Sequence, residues 1–229
     1  MKKKITKFIH YFIFYLGLEE IILIFAKYFM VPSWKIFPQS YMYSRDDVII
    51  IKRRNIKFLI NRSDFTQWQI YADYPELHYK SLKLLSKKGN IIDVGSNIGS
   101  FTLNAANQFF KNKSIYKIYS FEPYHKIYQV LKKNIKLNNK LEKFIKLEKY
   151  AISKKSFENY SIKIIKNNLG GNSLTKINKK KSSKNFATSI SLDDYCFTNK
   201  IKNISFIKID VEGMELDVLE GSKRIIKKL

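Results

Sequence analysis

Residues 75–229 predict an α/β fold: a parallel sheet of βαβ units, an antiparallel hairpin set into it, and an end after the fourth core strand and its helix. Three observations carry this expectation. From Pro75 to Leu137, short runs rich in Ile, Val and Phe alternate with stretches of helical periodicity. The first of these runs leads straight into closely spaced glycines that open a helix. After residue 152 the alternation gives way to two strand-like runs around a polar loop.

Composition narrows the function classes. Of 229 residues, 45% are hydrophobic and 27% charged, which excludes intrinsic disorder and collagen-like or linker composition. One cysteine, Cys196, excludes a disulfide framework and a Cys-rich zinc module. The three histidines, His10, His78 and His125, lack metal-ligand spacing, so no metal is expected. The formal net charge is +24, from 43 Lys and Arg, yet only five of these are Arg. Readers of nucleic acid lean on Arg for bidentate contacts, so the charge points weakly that way. It is also uneven: residues 111–186 hold 20 Lys against four acids, whereas residues 187–229 balance. Lys, Ile and Asn are abundant together, as when coding bias fills solvated positions with Lys. A solvated surface is therefore the leading reading, an anionic membrane or glycolipid surface the next, and nucleic acid the last.

Residues 1–30 are basic and then apolar, but Glu19 and Glu20 interrupt the apolar run. Adjacent carboxylates at the centre of a spanning helix would each cost about 2.5–3.5 kcal/mol, and no small-residue cleavage site follows. Either a helix lying in a membrane interface or one docked on the rest of the protein is expected, with a cleaved signal the remaining alternative; the chain is read as cytoplasmic, and as peripheral at a membrane under the first of these. In residues 31–75, Asp47–Lys52 and Ile56–Ile60 read as an antiparallel pair or small cap. Residues 1–74 thus form an extension to the main domain, 75–229.

In the main domain, Glu76–Lys87 reads as a helix and Ile91–Val94 as a buried strand ending at Gly95. Asn97–Phe110 is the next helix, Ile115–Phe121 the next strand, Tyr124–Leu137 a helix and Phe144–Ile152 a third strand. Tyr160–Ile165 and Asn185–Ser191 form the hairpin around the polar loop Asn167–Lys184. Phe206–Val211 is the fourth core strand and Glu215–Lys228 its helix.

The chemistry concentrates in three places. Asp93-Val-Gly95-Ser-Asn97-Ile-Gly99 brings backbone N–H groups and a helix N-terminus close to a ligand. It departs from the dinucleotide fingerprint, because Asn97 and Ser100 stand where that pattern needs glycine. A smaller ligand bearing a carboxylate, such as the methionine part of S-adenosylmethionine, tolerates Asn there. Glu122 ends the following strand, where a carboxylate can accept both hydroxyls of a ribose. In Phe206–Glu215, strand periodicity places Lys208, Asp210 and Glu212 on one face. Either Lys208 and Asp210 form a structural ion pair, or Asp210 or Glu212 contacts ligand or serves as base.

Asp93–Phe101 (DVGSNIGSF), Ser120–Pro123 (SFEP), Gly170–Leu174 (GGNSL), Ser191–Tyr195 (SLDDY) and Ile207–Glu215 (IKIDVEGME) resemble, in order and spacing, the FkbM family of S-adenosylmethionine-dependent methyltransferases. The resemblance implies a Rossmann-like class I methyltransferase fold and methyl transfer to an oxygen, typically a hydroxyl of a polyketide, sugar or glycolipid. It implies that Asp93, Gly95, Ser96, Asn97 and Gly99 shape the methionine pocket, that Glu122 with Pro123 lies at the ribose, and that Ala151 lies by the adenine. Asp210 and Glu212 become the catalytic candidates, with His78 a further choice of base; a metal held by Asp210 and Glu212 is a minor alternative. Family domains continue beyond the last helix with further strands, so the domain is expected to be incomplete at its C-terminal side. Two rivals remain. One is a nucleic-acid methyltransferase, opposed by Asp210-Val-Glu-Gly where base methylases carry an Asn/Asp-Pro-Pro-aromatic loop. The other is a non-catalytic remnant that binds membranes through its N-terminus.

Overall fold

The computed structural model describes residues 16, 18–74, 82–85, 88–177 and 185–228. The chain divides into two compact units, residues 1–76 with 166–168, and residues 77–165 with 169–229.

The N-terminal unit holds helix α1 (Glu19–Tyr28), strands β1 (Val48–Arg53) and β2 (Ile56–Asn61), and helix α2 (Phe65–Tyr71). The strands pair antiparallel, as expected, with Arg53 opposite Ile56. The intervening Arg54 and Asn55 both have positive φ, 52° and 66°, the backbone of a type I′ hairpin turn. Asp64 caps α2 by accepting the Gln67 N–H at 3.1 Å. Ile56, Phe58, Ile60, Trp68 and Tyr71 fill the core of the unit. Two arginines are buried beside it. Arg53 donates to the Tyr71 carbonyl, and Arg62 pairs with both oxygens of Asp47 at 2.8 and 2.9 Å while lying over the Tyr43 ring. Residues 166–168 join this unit: the Phe65 N–H donates to the Asn167 carbonyl at 2.8 Å. Most of the basic apolar leader lies outside the described residues. Among those described, no helix is long and apolar enough to cross a membrane.

The larger unit contains a four-stranded parallel sheet in the order β10-β3-β4-β5, made of β3 (Asn90–Val94), β4 (Ile118–Phe121), β5 (Ile145–Glu148) and β10 (Ile204–Ile209). Helices α3 (Ser100–Lys111) and α4 (His125–Leu137) follow β3 and β4. The α4 residues Ile127, Leu131 and Ile135 recur at i, i+4 and i+8 and are buried. This is the expected Rossmann-like arrangement, with β10 at one edge among the described strands. The helix expected over Glu76–Lys87 lies mostly outside the described residues; Leu82–Leu84 forms a 3₁₀ turn.

Four elements differ from the sequence reading. The strand expected over Phe144–Ile152 is two strands, because the chain changes sheets after Glu148; Ala151–Ile152 (β6) pairs parallel with Phe186–Ile190 (β9). The hairpin is three-stranded. Asn159–Lys163 (β7) pairs antiparallel with β9 and also with Ser173–Ile177 (β8), which lies inside the segment expected to be a polar loop. The helix over Glu215–Lys228 breaks into α6 (Glu215–Glu220) and a turn at Lys223–Ile226. A Cβ on Gly221, at the break, would stand 2.2 Å from the Ser153 carbonyl oxygen, so close packing there demands glycine. Helix α5 (Leu192–Thr198) was not anticipated; Ser191 caps it by accepting the Asp194 N–H at 3.1 Å. Ile92, Val94, Phe121, Ile152, Leu192, Tyr195 and Val218 form the core between β3, β4 and these elements.

Candidate functional site

In this sheet the chain order runs outward from β3 in both directions, to β4 and β5 on one side and to β10 on the other. Ligands of open α/β sheets bind at such a switch point, beyond the carboxyl ends of the strands. The glycine turn stands there. Gly95, Asn97 and Gly99 all have positive φ, 77°, 48° and 97°. A Cβ on Gly99 would stand 2.4 Å from a methyl of Leu131, so this glycine lets α3 pack onto α4. The Gly95 and Ser96 N–H groups both donate to the Phe121 carbonyl, at 3.1 and 3.0 Å, and the Ser96 hydroxyl donates to the Asp93 carbonyl.

Glu122 is tied to the same turn. Its Oε2 accepts the Asn97 N–H at 3.0 Å and its Oε1 accepts the Tyr124 N–H at 2.9 Å. Burial pushes its carboxyl up to about 7, against the opposing pull of those two N–H groups and of Lys208. The Asn97 Oδ1 is buried without a hydrogen-bond partner, an acceptor left open in the turn.

Below the turn lies a chain of charges. Asp93 is fully buried; its Oδ2 accepts the Thr102 hydroxyl, which also bonds Ser120 at 2.7 Å. Asp93 Oδ1 makes no hydrogen bond and instead faces Lys208 Nζ at 3.2 Å. That ammonium also donates to the Gly95 carbonyl at 2.8 Å and lies 3.3 Å from Asp210 Oδ2. Burial opposes the charged form of Lys208, but Asp93 and Asp210 outweigh it and hold the group above the usual lysine value. The ion pair between Lys208 and Asp210 weighed from the sequence is therefore present, with Asp93 as a third member.

The structure does not put Glu212 on a strand face with Lys208 and Asp210. β10 ends at Ile209, Gly213 turns with φ 82°, and Glu212 is exposed, its backbone forming an isolated parallel bridge to Ser173. The alternation argument fails because the strand stops before the acidic residues. Asp210 has a half-exposed side chain, 54%, at the mouth of the switch point. A cavity of about 20 Å³ brings Gly95, Pro123 and Ala151 together with Tyr150, Leu174 and Met214. His78 lies outside the described residues. Among the described residues, no group of three His, Cys, Asp or Glu could hold a metal.

Thr102 escaped the sequence reading, and Ser120 entered it only as the first residue of SFEP, with no role. Both are ordinary residue types, and only the β3–β4 register, which sets Asp93 opposite Ser120, gives them a partner. Leu174 and Met214 carried a signal, since both fall within the segments GGNSL and IKIDVEGME, but nothing in their chemistry marked them as cavity walls.

A model of the FkbM methyltransferase domain matches residues 93–229. No protein of curated function matches the chain. Among solved structures, the chain is similar to the methyltransferase FkbM from Methylobacillus flagellatus KT, with 19% identity, a TM-score of 0.40, and coverage of 62% of this chain and 31% of that one. It is also similar to a SAM-dependent methyltransferase from Agrobacterium tumefaciens, with 13% identity, a TM-score of 0.34, and coverage of 48% and 34%. A third, P. horikoshii TYW2 in complex with MeSAdo, has 14% identity, a TM-score of 0.33, and coverage of 49% and 41%. The chain spans between 31% and 41% of the length of these three proteins. The family match takes in the glycine turn, the Glu122 strand end and the β10 segment together, and the chain belongs to the FkbM family of S-adenosylmethionine-dependent methyltransferases.

Proposed function

We propose that residues 75–229 are a methyltransferase domain that moves a methyl group from S-adenosylmethionine to a hydroxyl of a saccharide, glycolipid or related metabolite. We place the reaction in the cytoplasm, with residues 1–74 as an extension that contacts a membrane peripherally through residues 1–30. The observation that carries the reading is the join between Glu122 and the glycine turn at the switch point, where the Asn97 N–H is donated to Glu122 at 3.0 Å.

The residues fit the cofactor chemically. The turn Gly95-Ser96-Asn97 with Gly99 would hold the amino-acid end, and the open Asn97 Oδ1 suits a donor such as its ammonium group. Asp93 would support the turn from beneath. The Glu122 oxygens each keep an unused lone pair, as two ribose hydroxyls require. Pro123 and Ala151 would face the adenine. The 20 Å³ cavity has room for one water, so a nucleoside enters only as lining side chains such as Leu174 and Met214 shift. S-adenosylmethionine, when bound, supplies an electrophilic methyl group. This chain must then hold the acceptor hydroxyl about 3 Å from that methyl and take its proton. Asp210, half exposed at the mouth, is the preferred base, with the exposed Glu212 as the alternative.

Calorimetric titration of the 229-residue chain with S-adenosylmethionine tests the reading, with Glu122→Ala as control. Binding that the substitution removes supports it. No binding by a folded chain overturns it in favour of a non-catalytic remnant.

A further inference from the structure

Helix α1 faces the wrong way for a helix of a water-soluble surface. Its inward side carries a charge: Glu19 accepts the Tyr71 hydroxyl and lies 3.8 Å from the buried Arg62, with Ala26 buried on the same side. Its outward side is apolar. Ile21, Ile24, Phe25 and Tyr28 recur at i, i+3, i+4 and i+7 and are 47%, 68%, 57% and 80% exposed. The same surface runs on through Phe29, Met30 and Val31, all exposed. A contiguous apolar patch of this kind on a folded unit needs a partner.

A groove of about 510 Å³ adjoins it, lined by Leu23, Ile24, Lys27, Met30, Val31 and Trp34. Lys27 and Lys35 are exposed beside the patch, and Lys35 Nζ stands 5.4 Å from the centre of the Trp34 ring. Asp73, which lines the same groove, is paired with Arg54. In sequence, Lys2, Lys3, Lys4 and Lys7 precede the helix.

We propose that this face docks on an anionic phospholipid bilayer. Helix α1 lies in the interface plane, since its ten residues are too few to cross. Phe25, Tyr28 and Phe29 insert at headgroup depth, the groove beside Trp34 admits an acyl chain, and Lys27 and Lys35 meet anionic headgroups. Glu19, held by Tyr71 and Arg62, fixes which side of the helix faces the lipid. Docking through this face deepens the membrane contact proposed above and does not depend on methyl transfer.

The test is co-sedimentation of the full chain with vesicles of phosphatidylglycerol and phosphatidylcholine, and with phosphatidylcholine alone. The anionic vesicles should bind the chain and shift Trp34 emission to shorter wavelength. The double variant Ile24→Glu/Phe25→Glu should weaken that binding about tenfold or more. Ile115→Glu, 84% exposed in the other unit, should leave it unchanged. All three proteins should unfold at similar temperatures and bind S-adenosylmethionine alike, which separates failure here from failure of the enzymatic reading. Equal binding by wild type and double variant would overturn the proposal, as would equal binding to both vesicle types. A dimer in analytical ultracentrifugation that the double variant dissociates, without vesicle binding, would assign the face to a second copy of the chain instead.

Discussion

The carbonyl oxygen of Asp210 occupies the space that a side chain on Gly95 would need: an ideal Cβ there would stand 1.9 Å from it. Gly95 is read from the sequence as a glycine that lets a ligand approach the backbone. The close approach in the structure is made by the chain itself, where β3 and β10 end side by side at the switch point. Gly95 also has φ 77°, so two independent constraints demand glycine. Gly95→Ala is expected to cost about 3 kcal/mol or more, measured by urea unfolding. Gly213 shares the positive φ but has open space around it, and Gly213→Ala should cost only about 1 kcal/mol.

Lys208 neutralises a buried carboxylate. Lys208→Met would leave Asp93 charged and fully buried, without its partner, and is expected to destabilise the chain by about 3–5 kcal/mol. Asp210, half exposed, contributes much less to folding; Asp210→Asn should cost under about 1 kcal/mol. As the proposed base, the same substitution should lower kcat while leaving calorimetric S-adenosylmethionine affinity intact.

Glu122 gives the site a pH dependence with a definite sign. Burial lifts its carboxyl from an ordinary 4.5 to about 7, so the folded state holds its proton more tightly than the unfolded state. Stability is therefore lost as pH rises from about 4.5 through about 7. Thermal unfolding between pH 5 and 8 should show this fall in the wild type and a flatter profile in Glu122→Gln. Cofactor binding should run the opposite way. If the ionised carboxylate accepts the ribose hydroxyls, affinity should rise about tenfold between pH 6 and 8, and the rise should vanish in the variant.

Leu174 tests the small cavity. It is half-buried on β8 and lines the cavity together with Ala151 and Pro123. Leu174→Trp is expected to block S-adenosylmethionine binding with little change in unfolding temperature. Leu174→Ala should bind as well as the wild type or a few-fold tighter. Calorimetry on both variants checks this.

The main sheet was legible because its local signals agree. Ile91–Val94 is a short buried run that leads directly into glycines, and Glu122-Pro123 terminates the next strand where a strand must stop. Asp93, Gly95, Ser96, Asn97, Gly99 and Glu122 fall around one turn because they belong to two adjacent strand ends, and adjacency follows from the βαβ rule. The hairpin region was less legible. Ser173–Ile177 carries exposed Thr175 and Lys176 on a partly buried strand, and a strand of that composition is defined by pairing with β7 rather than by its own pattern. The break at Gly221 was hidden for the same reason: it depends on the Ser153 carbonyl, nearly seventy positions away in sequence.

By itself, the sequence determined the βαβ order, the glycine turn with its acidic partner, and the basic, apolar character of the N-terminus, because each depends on residues near one another in the chain. Tertiary structure alone decided that Gly95 is crowded by Asp210, that Lys208 joins two carboxylates, that Glu212 leaves the strand face, and that α1 turns its charge inward and its aromatic side outward. Each of those depends on groups far apart in sequence meeting in a low-dielectric interior or at a strand end, where the cost of an unpaired charge or a misplaced Cβ is set by the partner and not by the residue itself.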